Sequence, residues 1–208
     1  MGKGYLSRKE KFRKPRRKVV IVCEGKKTEI NYFNGLKTRD SGVEIIPVHG
    51  GTKPKHIVEY AEERMNNKWC IDFEEGDGIW CAFDVDDNTN SDIKNTYEHA
   101  KTKNIQIALS NPCFELWFLL HYKKIFSQIS RKEVRGELKK FIPDYEKNKK
   151  INHLLKEKLS NAISGAKKLN EGHQKNRKEL ISIDSNPSTQ VFELIEFIQQ
   201  LIEKNKKF

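Results

Sequence analysis

Five apolar residues in succession, Val19 to Cys23, run directly into Glu24 and Gly25 and give the first strong signal along the chain. So short a run, rich in β-branched residues and closed by a glycine, predicts a strand over 18–23. The period then changes. Ile30, Phe33 and Leu36 recur at helical spacing, with Thr28 placed to cap that helix. Gly42 precedes a second apolar run over 43–49, and the turn cluster Gly50-Gly51-Thr52-Lys53 leads into a helix over 54–67 with Pro54 near its first position. After an acidic loop over 72–78, a third strand over 79–83 runs into Asp84-Val85-Asp86-Asp87-Asn88. A helix over 92–101 and a strand over 105–109 follow, and then a helix with Asn111 as cap and Pro112 as first residue. This alternation predicts an α/β fold: a Rossmann-like, mostly parallel four-stranded sheet with right-handed crossovers and flanking helices.

Beyond His121 the pattern is helical only, over 131–141, 148–171 and 188–204, with Pro143 and Asn186-Pro187 as punctuation. The chain therefore divides into a basic tail over 1–17, an α/β domain over 18–122 and a basic helical region over 123–208 packed on it. No run approaches the roughly 18 apolar residues of a membrane helix, and the basic start is not followed by the apolar segment of a signal peptide. The expectation is a cytoplasmic protein without a membrane partner. The four cysteines show no CxxC pairing, and Cys23 and Cys81 lie in apolar runs that suit reduced, packed thiols.

Charge changes this picture once it is divided by segment. Residues 1–18 hold nine Lys or Arg against one acid, 19–122 hold eleven against seventeen, 123–180 hold seventeen against seven, and 181–208 hold three against four. The net +11 thus belongs to the flanks, while the α/β segment is acidic. Basic flanks suit a polyanion, and nucleic acid fits best. Arg13, Arg16 and Arg17 in the tail, with the lysine-rich helices, would make sequence-independent phosphate contacts.

The acidic middle points to cation chemistry. Ligands of parallel α/β sheets gather outside the carboxyl ends of the strands, where Glu24, Asp84 and Asp86 emerge together if the first and third strands are neighbours. Unpaired carboxylates held about 4 Å apart repel by roughly 4 kcal/mol near a protein surface, and a divalent cation reverses that. Mg²⁺ or Mn²⁺ is the economical explanation, since hard ions take carboxylate oxygens. Glu115 is an outlier in the apolar stretch from Phe114 to Leu120 and needs a partner: the metal, the N–H groups of its own helix start, or an arginine. Lys26 and Lys27 after the first strand, and His49 and Lys53 after the second, are candidate phosphate contacts.

Three stretches carry a family resemblance: Cys23-Glu24-Gly25-Lys26-Lys27-Thr28-Glu29-Ile30-Asn31-Tyr32-Phe33, Phe83-Asp84-Val85-Asp86, and Ser110-Asn111-Pro112-Cys113-Phe114-Glu115-Leu116-Trp117. Glu-Gly after the first strand and Asp-x-Asp after the third resemble the signature of Toprim domains, and all three stretches in this order resemble RloB-like proteins of restriction and abortive-infection loci. The resemblance implies a Toprim-like fold and a Mg²⁺-dependent nuclease acting on DNA or RNA, transfer RNA included, in phage defence. Glu24 would transfer protons, and Asp84 and Asp86 would hold metal. Glu29 matches the extra acid by which OLD-type enzymes hold a second metal. The RloB-like neighbourhood implies an ATPase partner of the AAA or ABC type. The alternative is a non-catalytic regulatory subunit binding metal or nucleotide for that ATPase. The Asp84-Val85-Asp86 motif also resembles haloacid dehalogenase phosphatases, whose further acidic pair on a later strand has no counterpart after Ser110.

Overall fold

A computed structural model describes residues 16–206. Four strands form a parallel sheet: β1 (Arg17–Cys23), β2 (Val43–His49), β3 (Gly78–Asp84) and β4 (Gln106–Asn111). The crossovers carry α1 (Thr28–Asn34), α2 (Pro54–Met65) and α3 (Asn90–Thr102). Next come α4 (Glu115–Leu120), α5 (Arg131–Phe141), α6 (Asn152–Leu155), a 3₁₀ turn at Lys156–Lys158 and α7 (Leu159–Lys175). A short strand β5 (Ser188–Thr189) and α8 (Val191–Lys206) complete the order. The sheet runs β2-β1-β3-β4-β5, with β5 antiparallel to β4. The sheet thus has five strands where the apolar pattern predicts four. A strand of two polar residues has no alternation to read, and it pairs only through Ser110 with Thr189 and Asn111 with Ser188.

Burial on both faces explains why β1 is apolar from Val19 to Cys23. Val19, Ile21 and Cys23 pack with α1, α4, α5, α7 and α8 on one face, while Val20 and Val22 pack with α2 and α3 on the other. Pro47 sits in β2, an edge strand, where a missing ladder donor is tolerated. Side-chain caps fix two helix starts. Thr89 caps α3 in a box with Asp92, and Ser130 caps α5 in a box with Glu133.

One predicted cap and two predicted helix starts differ from the structure, and tertiary hydrogen bonds stand at all three places. Thr28 does not cap α1, since its hydroxyl donates to the Lys147 carbonyl at 2.7 Å. Asn111 ends β4 instead of starting a helix. Its amide donates to the carbonyls of Ser182 and Ile183 at 3.2 and 3.0 Å, and α4 begins only at Glu115. The helix predicted over 148–171 begins at Asn152 and breaks at the 3₁₀ turn. Its predicted first turn is tied to α1 instead: Asn31 donates to Asn148 O at 2.9 Å, and Asn152 donates to Tyr32 O at 2.7 Å. Among the described residues no helix is long and apolar enough to cross a membrane.

Candidate functional site

The parallel register sets where the acids emerge. Cys23 at the end of β1 pairs with Ala82, so the residue after β1 comes level with Phe83, one short of the last residue of β3. The ladder continues one step further, with Glu24 N–H donating to Ala82 O at 2.9 Å. That step turns the Glu24 carboxylate across the strand ends, where its Oε2 accepts the Asp84 N–H at 2.9 Å. On the other side of β3, Val85 N–H donates to Ser110 O at 3.0 Å. Asp86 follows in a left-handed backbone, φ 40°, a conformation non-glycine residues rarely adopt. Strained backbone of this kind clusters at functional sites.

One cavity of about 320 Å³ gathers these residues, with Glu24, Glu29, Asp84, Asp86 and Glu115 lining it together. Lys26 and Lys27 form part of its rim. The predicted acids therefore converge. Glu29 enters from the first turn of α1 and Glu115 from the start of α4, and both are buried. Burial raises the Glu24 carboxyl above its ordinary range, Glu29 adds to the rise, and the Asp84 N–H opposes it. Burial likewise raises Glu29, reinforced by Glu115. Asp84 is pushed furthest, first by burial and then by the charges of Glu29, Glu24 and Glu115. Glu24, Glu29 and Asp84 thus each resist ionisation, first through burial and then through neighbouring acids.

Two arginines that the spacing of the acids does not reveal meet this charge. Arg131, the first residue of α5, places its Nη2 in an ion pair with Asp86 Oδ1 and 3.9 Å from Asp84 Oδ2. Its Nε donates to Pro112 O at 3.0 Å, which fixes the guanidinium to the loop after β4. Arg135, one turn later, donates from Nε to Glu115 Oε1 at 3.1 Å. Of the partners open to Glu115, the arginine is the one it has. Lys147 joins the lining from the loop after α5.

The fit to a divalent ion is one of kind. Every acid in the cavity offers oxygen, and Asp84 Oδ1 is buried without a hydrogen-bond partner, an acceptor that a cation would satisfy. Among the described residues, however, no three His, Cys, Asp or Glu side chains stand close enough together to hold a metal ion in this conformation. Guanidinium groups occupy positions beside Asp84, Asp86 and Glu115.

The remaining predicted residues scatter. His49 ends β2 beside Cys23, its Nδ1 buried without a partner, and it does not line the acidic cavity. Lys53 lines a larger neighbouring pocket of about 830 Å³ with Thr52, His56, Asn88 and Asn95, and only Asp86 belongs to both cavities. Arg16 and Arg17 lie at the start of β1, the opposite end of the strand from Glu24. Arg17 is occupied there with Glu75 O at 2.9 Å and Asn205 Oδ1 at 3.1 Å, and Arg16 donates to Arg39 O at 3.3 Å. Arg13 lies outside the described residues. No acidic pair arrives on a later strand either, because β5 carries only Ser188 and Thr189.

Fold and site together define a parallel α/β protein with an acidic centre at the carboxyl edge of its sheet, countered by cations from a helix beyond it. A family model of RloB-like proteins matches residues 19–198, and the chain belongs to that family. No curated protein and no solved structure matches it.

Proposed function

We propose that this chain is a metal-dependent phosphodiesterase of the Toprim type that cleaves nucleic acid, DNA or RNA, in phage defence. The observation that carries the reading is the meeting of Glu24 with the Asp84 main chain at adjacent strand ends, with Asp86, Glu29 and Glu115 in the same cavity. A bound Mg²⁺ or Mn²⁺ would polarise the scissile phosphoryl group and acidify its attacking water. Asp84 and Asp86 are the residues to hold it, with Glu29 available for a second ion. Glu24 takes the proton of the attacking water: its carboxyl is raised by burial, towards the range in which a group exchanges protons near neutral pH. Lys26, Lys27 and Lys147 at the cavity wall hold the phosphate. The basic segment over 123–180 supplies sequence-independent attraction for the polyanion.

One observation favours a second reading, a regulatory subunit that binds metal or nucleotide for an ATPase partner: the arginines already pair with Asp86 and Glu115. The two readings separate in one experiment. Labelled DNA and RNA are incubated with the protein and Mg²⁺ or Mn²⁺, with and without the cognate ATPase. Cleavage that falls by about 10²–10⁴-fold in Glu24→Gln, the size expected for losing a positioned proton acceptor, supports the enzyme. Equal cleavage by wild type and Asp84→Ala removes the catalytic role of this site. A protein that cleaves nothing with the ATPase present but changes the rate of ATP hydrolysis supports the regulatory subunit.

A further inference from the structure

Arg131 is placed as a cation would be. It stands against Asp86 and faces Asp84, whose second carboxylate oxygen has no partner. Its position is built, not incidental. Ser130 and Glu133 close a capping box around the first turn of α5, with Glu133 Oε2 accepting from Ser130 N at 2.8 Å and from Ser130 Oγ at 2.6 Å. The Nε bond to Pro112 O then fixes the guanidinium plane on the loop after β4. Both side chains of the Arg131–Asp86 pair are about a third exposed, 36% and 35%, so solvent screens part of it, whereas Asp84 is only 17% exposed. Arg135 repeats the arrangement one turn later on Glu115, so the same face of α5 neutralises two of the acids.

We infer that Arg131 is a resident counter-cation of the acidic centre, which a divalent ion must displace before Asp84 and Asp86 can act together. This inference rests on the metal-dependent reading and adds its control: α5 sets the concentration of divalent ion at which the site assembles. The physical ground is exclusion. A guanidinium and a hard cation both seek the oxygens of Asp84 and Asp86, and two positive charges about 4 Å apart repel by roughly 4 kcal/mol near a protein surface. In this conformation Arg131 meets the charge of Asp86 and Arg135 that of Glu115.

The test is calorimetric titration of the full chain with Mn²⁺, comparing wild type with Arg131→Gln, which keeps a polar side chain and removes the charge. The inference expects Mn²⁺ to bind the variant roughly tenfold more tightly, about 1.4 kcal/mol. Equal affinity, or weaker binding by the variant, overturns it while leaving the metal site intact. No binding by either protein overturns the metal-dependent reading as well. Should Arg131→Gln fail to fold, Glu133→Ala opens the capping box without touching the cavity. It should raise Mn²⁺ affinity a few-fold by loosening the turn that presents Arg131, and an affinity no higher than wild type counts against the inference. Melting temperature gives a second readout. With chelator, Arg131→Gln should melt below wild type because its carboxylates lose their counter-charge. Saturating Mn²⁺ should raise the variant more than the wild type, and an equal rise refutes the competition.

Discussion

Gly25 is where the main chain most directly shapes the acidic centre. A Cβ at this position would lie 1.9 Å from Glu29 Oε2, 2.5 Å from its Cδ and 2.6 Å from Oε1. Gly25 does not have the left-handed backbone that would itself demand glycine, so the requirement comes from the Glu29 carboxylate. In Gly25→Ala something must yield. The backbone before it is held by the Glu24 N–H bond to Ala82, whereas the carboxylate is the free end of a side chain, so Glu29 moves. Glu29 is 6% exposed, and the N–H groups of Gly25 and of Glu29 itself stabilise its charge. Displacement leaves a buried acid without those donors, at a cost of about 1–3 kcal/mol. For a chain of this length that corresponds to a fall of roughly 2–12 °C in melting temperature. Urea unfolding followed by circular dichroism, with chelator present, measures it. The decisive comparison is a double-mutant cycle with Glu29→Ala, which removes the obstructing carboxylate. In that background Gly25→Ala should cost less than about 0.5 kcal/mol. An equal cost in both backgrounds would refute the reasoning and move the glycine requirement to the main chain.

Two further predictions test the shell around the centre. His121 is buried behind Trp117, bonded to its carbonyl at 2.9 Å, and burial holds its imidazole down at about 4. As pH falls below the ordinary value of 6.5 the unfolded chain takes the proton first. The stability contribution is therefore complete above 6.5 and is lost as pH falls through about 4, with a ceiling near 3 kcal/mol. His121→Phe should flatten the pH dependence of unfolding across that window, and an unchanged slope would show that His121 does not cause it. Arg135→Ala leaves Glu115, whose side chain is 3% exposed, without its partner and should destabilise the fold by about 1–3 kcal/mol. Adding Glu115→Gln should recover part of that loss in the same denaturation experiment, because the buried charge goes with it.

The strand ends were legible because a buried parallel strand leaves a simple trace: apolar residues without interruption, then a sudden acid. That trace located β1 and β3 to within a residue or so and so brought Glu24 and Asp84 to the same rim. Glu29 and Glu115 were legible through the family resemblance and through the oddity of an acid in an apolar helix. What could not be read was anything decided by partners distant in the chain. Asn111 and Thr28 have the chemistry of helix caps, and nothing local shows that one is taken by Ser182 and Ile183 and the other by Lys147. Arg17 looks like its neighbours in a basic tail, yet Glu75 and Asn205 hold it at the wrong end of the strand for the acids. Arg131 was hidden in the same way. It follows a serine in a lysine-rich helix, 47 residues after Asp84 and with no periodicity relating the two.

The segregation of charge along the chain acquires a structural meaning at this site. Read by segment, an acidic α/β half and a basic helical half suggest two units with different partners, one for cations and one for a polyanion. The fold joins them. The segment beyond His121 contributes β5 to the sheet, and α5, α7 and α8 share one core with β1 and α4. The same segment sends Arg131, Arg135 and Lys147 to the acids. Part of the excess of lysine and arginine after residue 123 is therefore internal neutralisation. A cluster of buried carboxylates that raise one another's pKa is destabilising if left alone, and the nearest remedy is a helix whose first turns are basic. That remedy has a consequence for chemistry. Cations supplied by the chain stabilise the fold without performing a reaction, and they stand beside the carboxylates to which the proposed function assigns a metal. On the metal-dependent reading proposed above, competition between Arg131 and a divalent ion would follow directly from folding an acidic centre under a basic helix.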